Sequence, residues 1–145
     1  MRVALGNDHR GVQLKQAIMS ALQTDGHTCT DLGTYTDESA DYPDFGLQVA
    51  EGVSKGDYDS GILICGTGIG MSMVANKVNG IRAALCHTAE EAAITRKHND
   101  ANILTLGEQI SPEEGVQIAR TFLGEKFEGG RHQRRIKKIH DLTGR

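Results

Sequence analysis

Ser60-Gly-Ile-Leu-Ile-Cys65-Gly66-Thr67-Gly68-Ile69-Gly70-Met-Ser72-Met-Val-Ala-Asn76 is the stretch from which the fold can be read. It opens as a short apolar run rich in β-branched residues, the pattern of a buried strand. Cys-Gly-Thr-Gly-Ile-Gly follows, and then a helical pattern expected to run to about Val78. Glycines at alternate positions leave the backbone bare and free to adopt positive φ. The amides of Gly66, Gly68, Ile69 and Gly70, with the helix start behind them, make a ready place for an anion. Cys65 stands at the strand's end facing those donors, where a thiol should ionise more easily. The same segment also reads as a tight strand-to-helix turn around an inert, buried cysteine.

Outward from this unit, strand and helix patterns alternate. Arg2 to Leu5 reads as a strand ending in Gly6-Asn7-Asp8-His9. A helix follows, with Val12, Leu14, Ala17, Ile18, Ala21 and Leu22 on its apolar face and a stop near Asp25-Gly26. Thr28 to Leu32 is a second strand. Tyr42-Pro43-Asp44 opens a helix to Ser54, with proline near the start, where its missing N–H costs nothing. Ile81 to Cys86 is the fourth strand, and Thr88 to Glu91 a capping box for the next helix. That helix ends in the basic Arg96-Lys97-His98-Asn99. Ile103 to Leu106 is the fifth strand, Ser111 to Glu114 starts a helix to about Leu123, and a last, basic helix spans about Arg131 to Asp141.

This alternation implies a parallel sheet, and right-handed crossovers restrict its topology. The expected architecture is a three-layer, doubly wound, Rossmann-like α/β fold with strand order 2-1-3-4-5 and an extra C-terminal helix. It would occupy residues 1–145 as a single domain. In that order a ligand crevice opens between strands 1 and 3 at their carboxyl ends. The turns that meet there are Asp8-His9 and Cys65 to Gly70.

Composition narrows the function classes. With 145 residues, 38% hydrophobic and 24% charged, the chain can bury a core without metals or disulfides. A net charge of −3 gives no general reason to bind nucleic acid. Six basic residues lie between Lys126 and Lys138, but from Arg131 to Lys138 there is no Phe, Tyr or Trp for base stacking. No apolar run approaches the ~18 residues of a membrane span. Cys29, Cys65 and Cys86 form neither a disulfide framework nor a metal motif, which fits a reducing cytoplasm.

Four chemistries compete for the glycine turn. Dinucleotide binding is disfavoured, because Gly66-x-Gly68-x-Gly70 is not the GxGxxG spacing and the turn follows the third strand. A cysteine hydrolase would pair Cys65 with a histidine, but no spacing fixes a triad. A non-catalytic module could bind a phosphorylated ligand through the turn, His9 and the arginines. Aldose–ketose isomerisation of a phosphorylated sugar needs a base, donors for an enediolate oxygen, a ring-opening acid/base and a phosphate clamp. Cys65, the turn amides, His98 or Thr67, and His9 with Arg131 and Arg135 could fill these roles. Arg131 and Arg135 share one helix face.

Taken together, the residues resemble the ribose-5-phosphate isomerase B family, which also holds the galactose-6-phosphate isomerase subunits. The likeness rests on Gly6-x-Asp8-His9-x-Gly11, Asp41-Tyr42-Pro43, Cys65 to Gly70 with Ala75-Asn76-Lys77, Gly80-Ile-Arg82, His98-Asn99, Gly107, and Gly129-Gly-Arg131-His-Gln-x-Arg135. It implies Cys65 as the proton-transferring base, since Met71 rather than a carboxylate follows Gly70. It also implies Thr67 and His98 in ring opening, with Asp8, Tyr42 and Asn99 lining the sugar. His9, Arg131 and Arg135 would contact phosphate. The resemblance further implies a homodimer, or a dimer of dimers, with the site shared between subunits. The C-terminal arginines would come from the neighbour, and no metal or organic cofactor would be used. Ribose 5-phosphate is the leading substrate; a tetrose, allose or galactose phosphate is the alternative. One departure bears on this choice: Gly107-Glu108-Gln109 stands where many members carry Gly-x-Arg.

Overall fold

In a computed structural model describing residues 1–145, five parallel strands form one sheet. They are β1 (Arg2–Asn7), β2 (Thr28–Asp31), β3 (Ser60–Cys65), β4 (Ala83–Leu85) and β5 (Ile103–Gly107). The helices are α1 (Val12–Thr24), α2 (Tyr42–Ser54), α3 (Ile69–Ala75), α4 (Ala89–Asn99), α5 (Pro112–Gly124) and α6 (Arg131–Thr143). One core layer packs α1, α4 and α5 onto the sheet through Leu14, Ile18, Leu22, Ala92, Ile118 and Phe122. The opposite layer packs α2 and α3 through Val49, Ala50, Val53, Met71 and Ala75. Val49 lies close to the sheet because Gly6 and Gly61 offer no side chain beneath it; a Cβ on either would come within 2.9 Å of it. No helix is long and apolar enough to cross a membrane.

The class is the expected one, but the strand order is β2-β1-β3-β5-β4 rather than 2-1-3-4-5. Strand β5 pairs with β3, from Gly61↔Ile103 to Cys65↔Gly107, and β4 takes the edge. Burial explains the exchange. Every residue of β5 is buried, whereas β4 has three residues, all half-buried. A strand covered on all sides belongs inside the sheet. The chain reverses direction between β4 and β5, and right-handed crossovers then place α4 on the face opposite α3. The open edge of β4 is partly covered from within the chain. The Asn76 side chain accepts from Ala83 N–H at 2.9 Å and donates to Ala83 C=O at 3.0 Å.

The helix starts follow their sequence signals. Ser111 and Glu114 form a reciprocal capping box. Thr88 caps α4 by accepting from Glu91 N–H, but the Glu91 carboxylate reaches back to the amide of His87. The helix after Cys65 is shorter than expected, stopping at Ala75.

Lys15 breaks the apolar pattern of α1. It is fully buried, yet its ammonium donates to Asp31 Oδ1 and to the Thr34 carbonyl, each at 2.8 Å. It also lies 4.7 Å from the centre of the Tyr35 ring. Removing one partner of such a pair leaves the other charge buried alone. Lys15→Met should therefore lower stability by about 3 kcal/mol in urea denaturation; a loss below about 1 kcal/mol would show that Asp31 is solvated instead.

Candidate functional site

The carboxyl ends of β1, β3 and β5 meet in register, with Asn7 beside Ile64 and Cys65 beside Gly107. Asp8 N–H donates to Ile64 C=O at 3.2 Å and Glu108 N–H to Cys65 C=O at 3.0 Å. The turns after three strands are thus tied to one another. Strand β3 lies between neighbours whose following helices pack on the face opposite α3, the setting in which a crevice opens.

Within this crevice Cys65 is 4% exposed, and its sulfur accepts from Gly68 N–H at 3.2 Å. Gly68 is the only glycine of the turn with positive φ, at 76°. A side chain there would also meet Leu85 Cδ1 at 2.6 Å and the Leu106 carbonyl carbon at 2.8 Å. Gly70 is required for a different reason: a Cβ would lie 2.7 Å from Tyr42 Cζ. The bare Gly70 backbone thus lets the Tyr42 ring sit over the turn. Thr67 is exposed, and its hydroxyl accepts from Ile69 N–H at 3.2 Å. Gly66 has open space where a side chain would be.

Asp8 is buried, and one carboxylate oxygen accepts from Arg10 N–H at 2.9 Å. His9 Nδ1 accepts from Ala40 N–H at 3.2 Å, so its hydrogen sits on Nε2. Nothing in the local sequence of His9 marks this contact, because Ala40 lies in the turn-rich segment before α2. His9 lines a cavity of about 770 Å³ with Arg10, Gln13, Tyr35, Thr36 and Glu108. Arg10 and Glu108 form a two-pronged ion pair across it, with Nε to Oε2 at 2.8 Å. The guanidinium holds the Glu108 carboxyl below its ordinary range. The acid beside Gln109 is therefore already neutralised. Gln109 folds back over Gly107, where a Cβ would collide with its amide. A neutral amide, not a cation, thus stands beside the Cys65 strand.

The remaining candidates lie elsewhere. A helix that follows a parallel strand returns to the amino end of the sheet, and His98-Asn99 closes α4 just before β5 begins. Asn102 C=O accepts from Gly61 N–H there. Cys65 is four strand residues further along β3 than Gly61, about 13 Å at the usual rise. The start of α6 joins the His98 end. His98 and His132 stack with ring centres 4.2 Å apart and planes at 8°. Their Nε2 atoms lie 3.9 and 3.8 Å from Glu128 Oε2. Burial, then His98 and Arg131, push the His132 imidazole below its ordinary range. Arg131 and Arg135 are exposed. One chain therefore gathers Asp8, His9, Tyr42, Cys65, Thr67 and the turn amides at one end of its sheet. It holds His98, Asn99, Arg131 and Arg135 at the other.

His98, Glu128 and His132 place possible metal-ligand atoms within 4.8 Å of one another. Stacked rings, however, aim their lone pairs in parallel, whereas an ion needs them to converge. This cluster is not built as a metal site.

Residues 3–139 match the family described as Ribose/Galactose Isomerase. The chain belongs to that family. Ribose-5-phosphate isomerase B of Escherichia coli is 44% identical, over 99% of this chain and 97% of that protein. D-Erythrulose-4-phosphate isomerase of Pectobacterium atrosepticum is 43% identical, over 96% and 93%. Among solved structures, ribose-5-phosphate isomerase B of Clostridium thermocellum superposes with a TM-score of 0.97 at 48% identity, over 99% of this chain and 98% of that one. The Mycoplasma genitalium enzyme of the same name, crystallised with bound ribulose 5-phosphate, gives 0.93 at 44% identity, over 99% and 96%.

Like its ribose/galactose isomerase relatives in overall fold, the chain carries its cysteines in distinct settings. Cys86 is 1% exposed, and burial pushes its thiol up to about 12. It therefore stays protonated through neutral pH. Iodoacetamide at pH 7.5, followed by peptide mapping, should leave Cys86 unmodified until urea unfolds the chain. Rapid native labelling of Cys86 would contradict its packing.

Proposed function

We propose that residues 1–145 act as one sugar-phosphate isomerase domain that converts ribose 5-phosphate to ribulose 5-phosphate. The observation that carries the proposal is the Cys65 sulfur accepting from the Gly68 amide of the glycine turn at the carboxyl end of β3. Cys65 takes the proton from C2 of the open-chain aldose. The electron pair moves toward the carbonyl, giving a cis-enediolate; the O2 proton passes to the adjacent O1, and Cys65 returns its proton at C1 as the C2 carbonyl forms. The amides of Gly66 and Gly70 donate to no protein group and are the ones left for the developing oxygen charge, where each such donor is worth roughly 10²–10³ in rate. Gly68 N–H stays on the Cys65 sulfur and Ile69 N–H on the Thr67 hydroxyl. Asp8 and Tyr42 line the sugar, and His9 offers its Nε2–H to the phosphate. No step calls for a metal or organic cofactor.

Ring opening falls to Thr67 and His98, a further sugar contact to Asn99, and the rest of the phosphate clamp to Arg131 and Arg135. Four of these stand at the wrong end of the sheet to serve the same chain's Cys65. A second copy related by a two-fold axis would bring its His98 end to the first copy's crevice and receive the same in return. The unpartnered apolar side chains Ile69 and Met73 on α3, and Ile139 and Leu142 on α6, support such a contact. The working unit is then a homodimer, alone or paired into a tetramer, acting in the cytoplasm.

The neutral Gln109 amide beside Gly107 supports a second reading, a shorter or differently phosphorylated sugar such as a tetrose phosphate.

Proton NMR of ribose 5-phosphate with the protein in D₂O should show ribulose 5-phosphate and solvent deuterium in the sugar. Cys65→Ala should lower turnover by roughly 10³-fold or more, and turnover that survives would remove Cys65 as the base. Silence with ribose 5-phosphate but turnover of erythrose 4-phosphate would favour the second reading; silence with both would favour a binding module. Mixing inactive Cys65→Ala with inactive His98→Ala should restore about a quarter of wild-type turnover after subunit exchange, one intact site in each mixed dimer. No recovery despite proven exchange would refute the shared site.

A further inference from the structure

Asp100 is the one residue other than glycine with a left-handed backbone, at φ 45°. Side chains rarely adopt this conformation, and glycine is the usual residue at such a helix end. Asp100 N–H donates to Arg96 C=O at 3.2 Å and Ala101 N–H to Thr95 C=O at 3.3 Å, closing α4. Two arginines then grip the turn. Arg96 Nη1 reaches Asp100 Oδ1 at 3.0 Å, and Arg82 Nη2 reaches Oδ2 at 3.2 Å. Arg82 also donates from Nε to the carbonyls of Asn99 and Asp100, both at 3.0 Å, and from Nη2 to Asp100 C=O at 2.8 Å. Its outer nitrogen lies 3.1 Å from His140 Nε2 on α6. The planar guanidinium fork thus fixes two successive carbonyls and one carboxylate together.

A glycine would end α4 without strain and without a carboxylate that needs two arginines. Strained backbone persists where surroundings over-determine it, and such places cluster at functional sites. The strained residue directly follows His98-Asn99.

We propose that Arg82, Asp100 and Arg96 form a clamp that sets the direction in which His98 and Asn99 leave α4. Arg82 and Asp100 are positioning residues for ring opening in the isomerase reaction proposed above, on which this inference rests. They touch no substrate and act through the backbone that carries His98 and Asn99.

The test compares Arg82→Lys, Asp100→Gly and Asp100→Asn in two assays. Ribose 5-phosphate consumption requires ring opening. Deuterium exchange into C1 of ribulose 5-phosphate, an open-chain ketose, requires only the base. Arg82→Lys and Asp100→Gly should lower aldose turnover about tenfold relative to ketose exchange, less than the roughly 10²-fold that a misplacement of about 1 Å can cost. Asp100→Asn keeps an acceptor oxygen and tolerates the left-handed backbone, so it should lose less than Asp100→Gly. Parallel loss of both activities, or loss of neither, would overturn the clamp. Wild-type protein that performs neither reaction would instead overturn the isomerase reading. In that case the His98 imidazole resonances decide the clamp: they should move in Arg82→Lys and Asp100→Gly, and unchanged resonances would refute it.

Discussion

The Gly68 amide reaches the sulfur of Cys65 only because the backbone turns left-handed directly after β3. Much around it depends on that turn. No side chain can enter there without meeting Leu85 and Leu106, so β4 and β5 form its floor. The same turn starts α3, and Gly70 on that helix leaves room for the Tyr42 ring from α2. A sulfur, a row of amides and a phenol are thereby fixed by packing between elements. Pre-arranged donors of this kind need no reorganisation when charge develops near them.

The second constraint is topological. Parallel strands joined by helices send every turn of one kind to one end of the sheet and every return to the other. Cys65 ends a strand and Asp8, His9 and Gln109 follow strands; His98 and Asn99 precede one. A monomer of this fold can hold both groups but cannot bring them together. Association thus becomes a requirement of the chemistry proposed here, whatever stability it adds.

Much of this was legible in the sequence, and what was not has physical causes. The alternation of strands and helices and the cysteine–glycine turn are local patterns, and local patterns survive in one dimension. Strand order does not: β4 and β5 are both short and apolar, and only their relative burial in the folded sheet ranks them. Gly70 was readable as a turn glycine, but its reason is Tyr42, twenty-eight positions earlier and on another helix. Lys15 has the spelling of a solvated helix residue, and nothing near it announces Asp31 or Tyr35 as partners. Arg10 and Glu108 lie 98 positions apart, and nothing local to either announces their ion pair. The separation of His98 from Cys65 within one chain follows from the topology, since Cys65 ends a strand and His98 lies at the end of a helix that precedes one.

Asn76 carries a different lesson. It sits among the residues that carry the family likeness, yet its side chain turns away from the crevice and pairs with both polar groups of Ala83. Strand β4 has β5 on one side only, so its other side is a row of backbone donors and acceptors that another chain could extend. The Asn76 amide occupies one register position of that row with the same donor–acceptor pair a further strand would present. One position of the exposed edge is thus taken by a single side chain just past the end of α3. A strand that paired there would first have to displace Asn76 from both of its bonds to Ala83.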